Sequence, residues 1–227
     1  MPPKPKYTKE QVVDAAFELV RTRGIQTLTA RELGKTLGVS SSPVFTIFKD
    51  MEELKGTVFR RAKQRFDDYM EVANSYFPAY KKRGMQWIRF ASDEPQLFRW
   101  IFMANSANGG IDEAVKAVQF GKQNDIDIIT RDYNATPEQA ERLFCHMWIY
   151  TYGLCVMTAT GTCRFSDAEQ AKPLGEQFGA IIGMLLAEKP IVPNIMPEKS
   201  DKHLIEKLKK NSPDLGKSRE RKELREV

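Results

Sequence analysis

Apolar residues recur along this chain at spacings of three and four, and the runs they form are separated by Gly, Pro and hydroxyl-bearing residues. That period belongs to helices packed on one face, and no segment shows the strict alternation of a half-buried strand. Val12, Ala15, Ala16, Leu19 and Val20 share a face of a first predicted helix, opened by Thr8 with Gln11 three positions on and stopped at Gly24. Leu33 and Leu37 mark a short helix, where Thr29 and Glu32 have the spacing of a reciprocal capping box and Gly38 follows as a turn. Ser40 or Ser41 caps a third, with Pro43 in its first turn and Val44, Ile47 and Phe48 facing inward. Asp50 then caps a longer helix on which Leu54, Val58, Ala62, Arg65 and Phe66 recur. Further helices are predicted over 51–76, 79–92, 95–104, 111–133, 137–160 and 167–188, with Pro173 kinking or delaying the last.

The predicted fold class is therefore all-α. Two short helices around Gly38 and Val39 make a helix-turn-helix, and a three-helix unit built on it precedes a larger helical domain. A recognition helix enters the major groove N-terminus first, so Ser41, Ser42 and Thr46 on its exposed front suit contact with base edges.

On these residues the N-terminal 60 positions resemble the TetR/AcrR family of one-component transcriptional regulators. The resemblance is carried by the first helix ending in RTRG, then Ile25, Leu28, Thr29, Arg31, Glu32, Leu33, Gly38, Val39, Ser40, Phe48, Asp50, Glu53 and Leu54, in family order and spacing. It implies a DNA-binding domain over 1–50, a ligand-binding and dimerisation domain over 51–188 and a basic tail over 189–227. It further implies double-stranded operator DNA as a partner, a small hydrophobic or aromatic effector, and a homodimer. The DNA contacts it implies come from Thr29, Arg31, Ser40, Ser41, Ser42, Phe45, Thr46, Lys49 and Lys55. Phe45, Ile47 and Met51 depart from the family, which commonly has Tyr, His and Lys there; each departure removes a phosphate contact, for which Lys49 and Lys55 are candidate substitutes. A helical dimeric sensor acting through protein contacts, without specific DNA binding, is the alternative.

Charge agrees with a nucleic-acid-facing end. Residues 1–60 carry 10 basic against 7 acidic side chains, residues 61–188 carry 14 against 16, and residues 189–227 carry 11 against 7. Three cysteines, an odd number, and no apolar leader after Met1 point to a cytoplasmic protein rather than a disulfide scaffold, and no apolar run reaches the length of a membrane span. Two histidines and the absence of C-x-x-C or H-x-x-x-H spacing argue against a metal site, and no cofactor is expected; buried thiols are the default for Cys145, Cys155 and Cys163. Phosphate loops and nucleophile motifs are missing, so the chain is not expected to be an enzyme.

The middle of the chain concentrates aromatic and methionine side chains. Most belong to the core of a helical bundle, but pockets between bundle helices are lined the same way. Trp87, Phe98, Trp100, Met103, Phe120, Met147 and Trp148 are the candidate ligand-lining residues, with Arg89, Arg99 and His146 as candidate polar contacts. On the last predicted helix Phe178, Ile181, Ile182 and Leu185 form an apolar stripe beside Gly175, Gly179 and Gly183, a pattern suited to close helix packing in a homodimer interface.

Overall fold

The computed structural model describes residues 7–39, 46–103, 121–163 and 165–187, and among them every regular element is helical. In order these are α1 (Lys9–Arg23), a 3-10 turn (Ile25–Thr27), α2 (Ala30–Leu37), α3 (Met51–Asn74), α4 (Ala79–Asp93), α5 (Pro95–Phe98), a π-helical segment (Arg99–Met103), α6 (Lys122–Tyr133), α7 (Pro137–Thr160) and α8 (Asp167–Leu186). The chain divides into two units, Met1–Gly183 and Met184–Val227. Only the last turn of α8 and Ala187 represent the second among the described residues.

Local chemistry starts these helices where the sequence predicts. Thr8 with Gln11 and Thr136 with Gln139 each form a complete capping box. Ser166 and Glu169 do the same, the Ser166 N–H donating to the carboxylate at 2.8 Å and the Glu169 N–H to the hydroxyl at 3.4 Å. The box expected at Thr29 is only half made. The Thr29 hydroxyl accepts the Glu32 N–H at 3.2 Å, but the Glu32 carboxylate turns to Lys35 at 2.7 Å and Arg23 at 3.2 Å. Two cations outcompete a neutral backbone donor for a carboxylate. At the end of α2, Gly38 sits at φ +66°, its N–H returning to the carbonyls of the last turn, and the Val39 N–H reaches the Gly34 carbonyl at 2.9 Å. Nothing lies within 4 Å of where its Cβ would stand, so backbone conformation rather than space requires glycine.

α1 packs across α2 and α3, burying Val12, Ala16, Val20, Leu33, Leu54 and Val58 with Phe48. α3 continues out of this head into the body, where α4 packs against α3, α5, α6 and α7. The first N–H of α4 has no cap on its own segment, since Pro78 precedes it; the Asp132 carboxylate of α6 accepts it at 2.9 Å. Phe66 of α3 sets its ring edge-on to Trp87, Phe90 and Phe102, at 4.7, 5.3 and 5.0 Å between centroids. Such pairs hold α3 to the body beyond their burial alone.

One predicted helix takes a different form. Instead of a single α-helix over 95–104, α5 ends at Phe98 and five residues follow in a wider π turn. Arg99 leaves that turn to donate to the Ala159 carbonyl at 3.0 and 2.7 Å, satisfying an acceptor in the last turn of α7. Phe98 and Phe102 meanwhile face inward, their rings tilted against each other with centroids 5.2 Å apart. The predicted stretch 111–120 lies outside the described residues. Among the described residues no helix is long and apolar enough to cross a membrane.

Candidate functional site

α4, α6, α7 and α8 enclose a cavity of about 30 Å³. Its apolar walls are Trp87, Phe144, Met147, Trp148, Leu174 and Phe178, and Tyr80, Lys81, Arg83, Asp125, Thr151 and Tyr152 bring polar groups to it. A cavity that size holds one or two waters. Gly84 keeps α4 close to α8, because a Cβ there would stand 3.2 Å from Leu174 Cδ2.

Arg83 and Asp125 form an ion pair at the cavity, the guanidinium Nε donating to the carboxylate, with both residues buried. Burial outweighs the attraction of Arg83 and pushes the Asp125 carboxyl up from its ordinary 3.8 to about 6. The folded protein then holds a proton here that the unfolded chain has released, so this group's contribution to stability falls as pH rises from about 4 towards about 6. In Asp125→Asn the side chain is neutral throughout. The stability of the wild type relative to that variant is expected to fall by up to about 3 kcal/mol between pH 4 and pH 7 in urea unfolding, and a constant difference would contradict it.

Of the sequence-derived ligand residues, Trp87, Met147 and Trp148 line the cavity. Phe98 does not; it is fully buried between Phe102 and Tyr152. Trp100 is half-buried with its ring edge-on to Phe59 at 5.2 Å, Met103 is half-buried in the π turn, and Phe120 lies outside the described residues. The candidate polar contacts lie elsewhere as well. Arg89 pairs with Asp93 on the surface at 3.4 Å, Arg99 is committed to Ala159, and His146 is exposed. The lining residues missed include Tyr80, Arg83 and Asp125; for the last two the signal in the sequence is a cation and a carboxylate among apolar residues at helical spacing.

A second polar centre joins head to body. Glu94, 2% exposed at the α4–α5 junction, accepts from Arg21 of α1 at 2.7 Å and from Arg65 of α3 at 3.2 Å. Nearby, Arg61 of α3 pairs with Asp14 of α1 and lies over the Phe17 ring. The middle of α1 is thus held to α3 through Asp14 and Arg61, and its C-terminal end to the body through Arg21 and Glu94.

On the head, Ser40, Ser41, Ser42 and Phe45 lie outside the described residues. Thr29 is exposed with its hydroxyl spent on the cap of α2, and Arg31 and Thr46 are exposed. Lys49 is exposed, its backbone N–H donating to Glu53 at 2.8 Å. The Lys55 ammonium is taken by Glu52 at 2.7 Å. Of the stripe on α8, Phe178 turns inward to the rings of Tyr80 and Tyr133, Ile181 is buried, Ile182 is half-buried, and Leu185 falls in the second unit. No group of His, Cys, Asp and Glu among the described residues could hold a metal ion.

No family model matches the sequence, and no curated protein matches it. Solved structures do. A TetR-like transcriptional regulator from Rhodococcus sp. RHA1 aligns over 77% of this chain and 95% of its own with a TM-score of 0.56 at 15% identity. A putative TetR-family transcriptional regulator from Mesorhizobium loti aligns over the same shares, 77% and 95%, with a TM-score of 0.55 at 20% identity. A TetR-family transcriptional regulator from Streptomyces coelicolor covers 90% of this chain and 96% of its own with a TM-score of 0.56 at 15% identity. At these identities the likeness is one of architecture: this chain has the fold of the TetR-type transcriptional regulators.

Proposed function

We propose that the chain is a TetR-family regulator that binds palindromic operator DNA as a homodimer and releases it when a small, mostly hydrophobic effector enters the cavity. The observation that carries this reading is a head closed by the Gly38 turn, mounted on a helix, α3, whose body end packs against Trp87 of the cavity wall. In such an arrangement a ligand that shifts α4 shifts α3, and with it the head. Operator and effector then oppose each other through one two-state element.

A dimer through α7 and α8 is supported by the faces they leave open. Ile149 of α7 is 55% exposed, and the sites where Cβ atoms would stand on Gly153, Gly179 and Gly183 are open. Small residues beside an exposed apolar one let two helix pairs approach closely. A symmetric pair of heads reads half-sites about one helical turn, or a multiple of it, apart. In this reading Ser41, Ser42 and Thr46 face base edges, and Arg31, Lys49 and the N-terminal Lys4 and Lys6 face phosphates.

The test is a mobility-shift titration with the DNA upstream of the chain's own gene. The intact palindrome is expected to bind at least about a hundredfold tighter than a duplex with one half-site shuffled, and affinity is expected to fall steeply as salt rises. Equal binding of both duplexes would refute sequence-specific reading. Ligand binding without any DNA binding would instead support the protein-contact sensor, which the engagement of Lys55 by Glu52 favours.

A further inference from the structure

The cavity contains more positive than negative charge. Among the described residues that line it, Arg83 lies inside and Lys81 at its edge, against one carboxylate, that of Asp125. Lys81 is exposed, and its Nζ hangs 3.3 Å from where a Cβ on Gly175 would stand; no acidic partner is assigned to it among the described residues. Arg83 engages Asp125 through Nε, and its terminal amino groups have no hydrogen-bond partner among the described residues. A guanidinium is built to hold a carboxylate with two parallel N–H bonds, and among the described residues one side of that fork meets no acceptor.

We propose that the cavity takes an amphipathic organic anion, its aromatic or alkyl body lodged among Trp87, Phe144, Met147, Trp148 and Phe178 and its carboxylate paired with the guanidinium of Arg83. The inference rests on the reading of this cavity as the effector site and adds the charge class of the effector. An incoming carboxylate would share the guanidinium with Asp125, and burial, which already raises the Asp125 carboxyl, favours its protonation when the two acids meet. A cationic ligand meets the opposite situation: it must displace Arg83 from Asp125 and sit beside two resident cations. A neutral ligand fills the walls but leaves the free donors of Arg83 unpaired, which is unfavourable once water is excluded. The cavity as it stands holds one or two waters, so the body of the ligand enters by movement of lining side chains.

A matched series separates head group from body: phenylbutyrate, phenylbutanol and phenylbutylamine share a phenylalkyl body and end in an anionic, a neutral and a cationic head group. Each is titrated into the full-length protein, with binding read from the quenching of tryptophan fluorescence, to which Trp87 and Trp148 in the wall contribute. Phenylbutyrate is expected to bind at least about tenfold tighter than phenylbutanol, with phenylbutylamine weakest. In the paired variant Arg83→Met with Asp125→Leu, which removes both charges together and so leaves neither buried alone, phenylbutyrate should lose that advantage while phenylbutanol still binds. Lys81→Met, at an exposed position, should weaken phenylbutyrate a fewfold and leave phenylbutanol unchanged. Equal affinities of acid and alcohol in the wild type would overturn the inference while keeping the cavity as a binding site. Tightest binding of the amine would overturn it by making Asp125 the anchor. No response to any of the three would remove the cavity reading itself, and the inference with it.

Discussion

Glu94→Lys is expected to lower the unfolding free energy by about 4 kcal/mol or more, enough to leave a marginal domain largely unfolded at 37 °C. The substitution places a third cation where a 2%-exposed carboxylate now receives Arg21 and Arg65. Removing one member of a buried ionic group leaves the others uncompensated, and reversing its sign adds repulsion. The two arginines temper the loss, because their side chains are 37% and 45% exposed and recover water when released. Glu94→Gln keeps the shape and one acceptor, and about 2 kcal/mol is expected for it. Urea unfolding of the three proteins checks the order. The functional consequence is separate from the stability one: in Glu94→Gln, which should still fold, the hold of the body on α1 is weakened, so effector should lower operator affinity less than in the wild type. Equal stability of all three proteins would mean that the cluster is held by its surroundings and contributes nothing of its own.

What the sequence disclosed and what it concealed divide along chain distance. Helix starts were legible because a cap is chemistry within four residues: Thr8, Asp50, Thr136 and Ser166 each cap the helix they announce. Helix ends at Gly24 and Gly38 were legible for the same reason. The polar centres were not. Arg21 and Glu94 lie 73 positions apart and Arg83 and Asp125 lie 42 apart, and no periodicity within one helix says which charge on another will face it. The aromatic residues present an intermediate case. Their concentration marks the body as a place of large apolar side chains, but whether a ring lines a cavity or fills the core depends on the neighbouring helix. Phe98 and Trp87 look alike in the sequence; α3 and α7 sort one into the core and the other to the wall. The half-made box at Thr29 is a third kind of case: the local pattern was right, and Arg23, nine residues from Glu32, altered its outcome.

Phe66→Ala is expected to cost about 3 to 5 kcal/mol, as deletions of a large buried ring do. Phe66 is 2% exposed and is the one ring of α3 that contacts Trp87, Phe90 and Phe102 together. Its loss therefore opens a void and removes three edge-on contacts at once. The void cannot close by movement of a single side chain, because its lining comes from α3, α4 and the π-helical segment. The same ring is the direct contact between the helix that supports the head and the tryptophan that walls the cavity. A smaller substitution, Phe66→Leu, keeps most of the volume and should cost about 1 to 2 kcal/mol while removing the aromatic contact to Trp87. If the signal passes from Trp87 to α3 through this ring, Phe66→Leu should bind operator and ligand separately with near-normal affinity and show a smaller effect of either on the other. Titrating ligand with and without operator measures that coupling directly, and by linkage the two factors must agree. A Phe66→Leu protein with undiminished coupling would move the path to another connection that reaches α3 from the body, such as the Glu94 cluster.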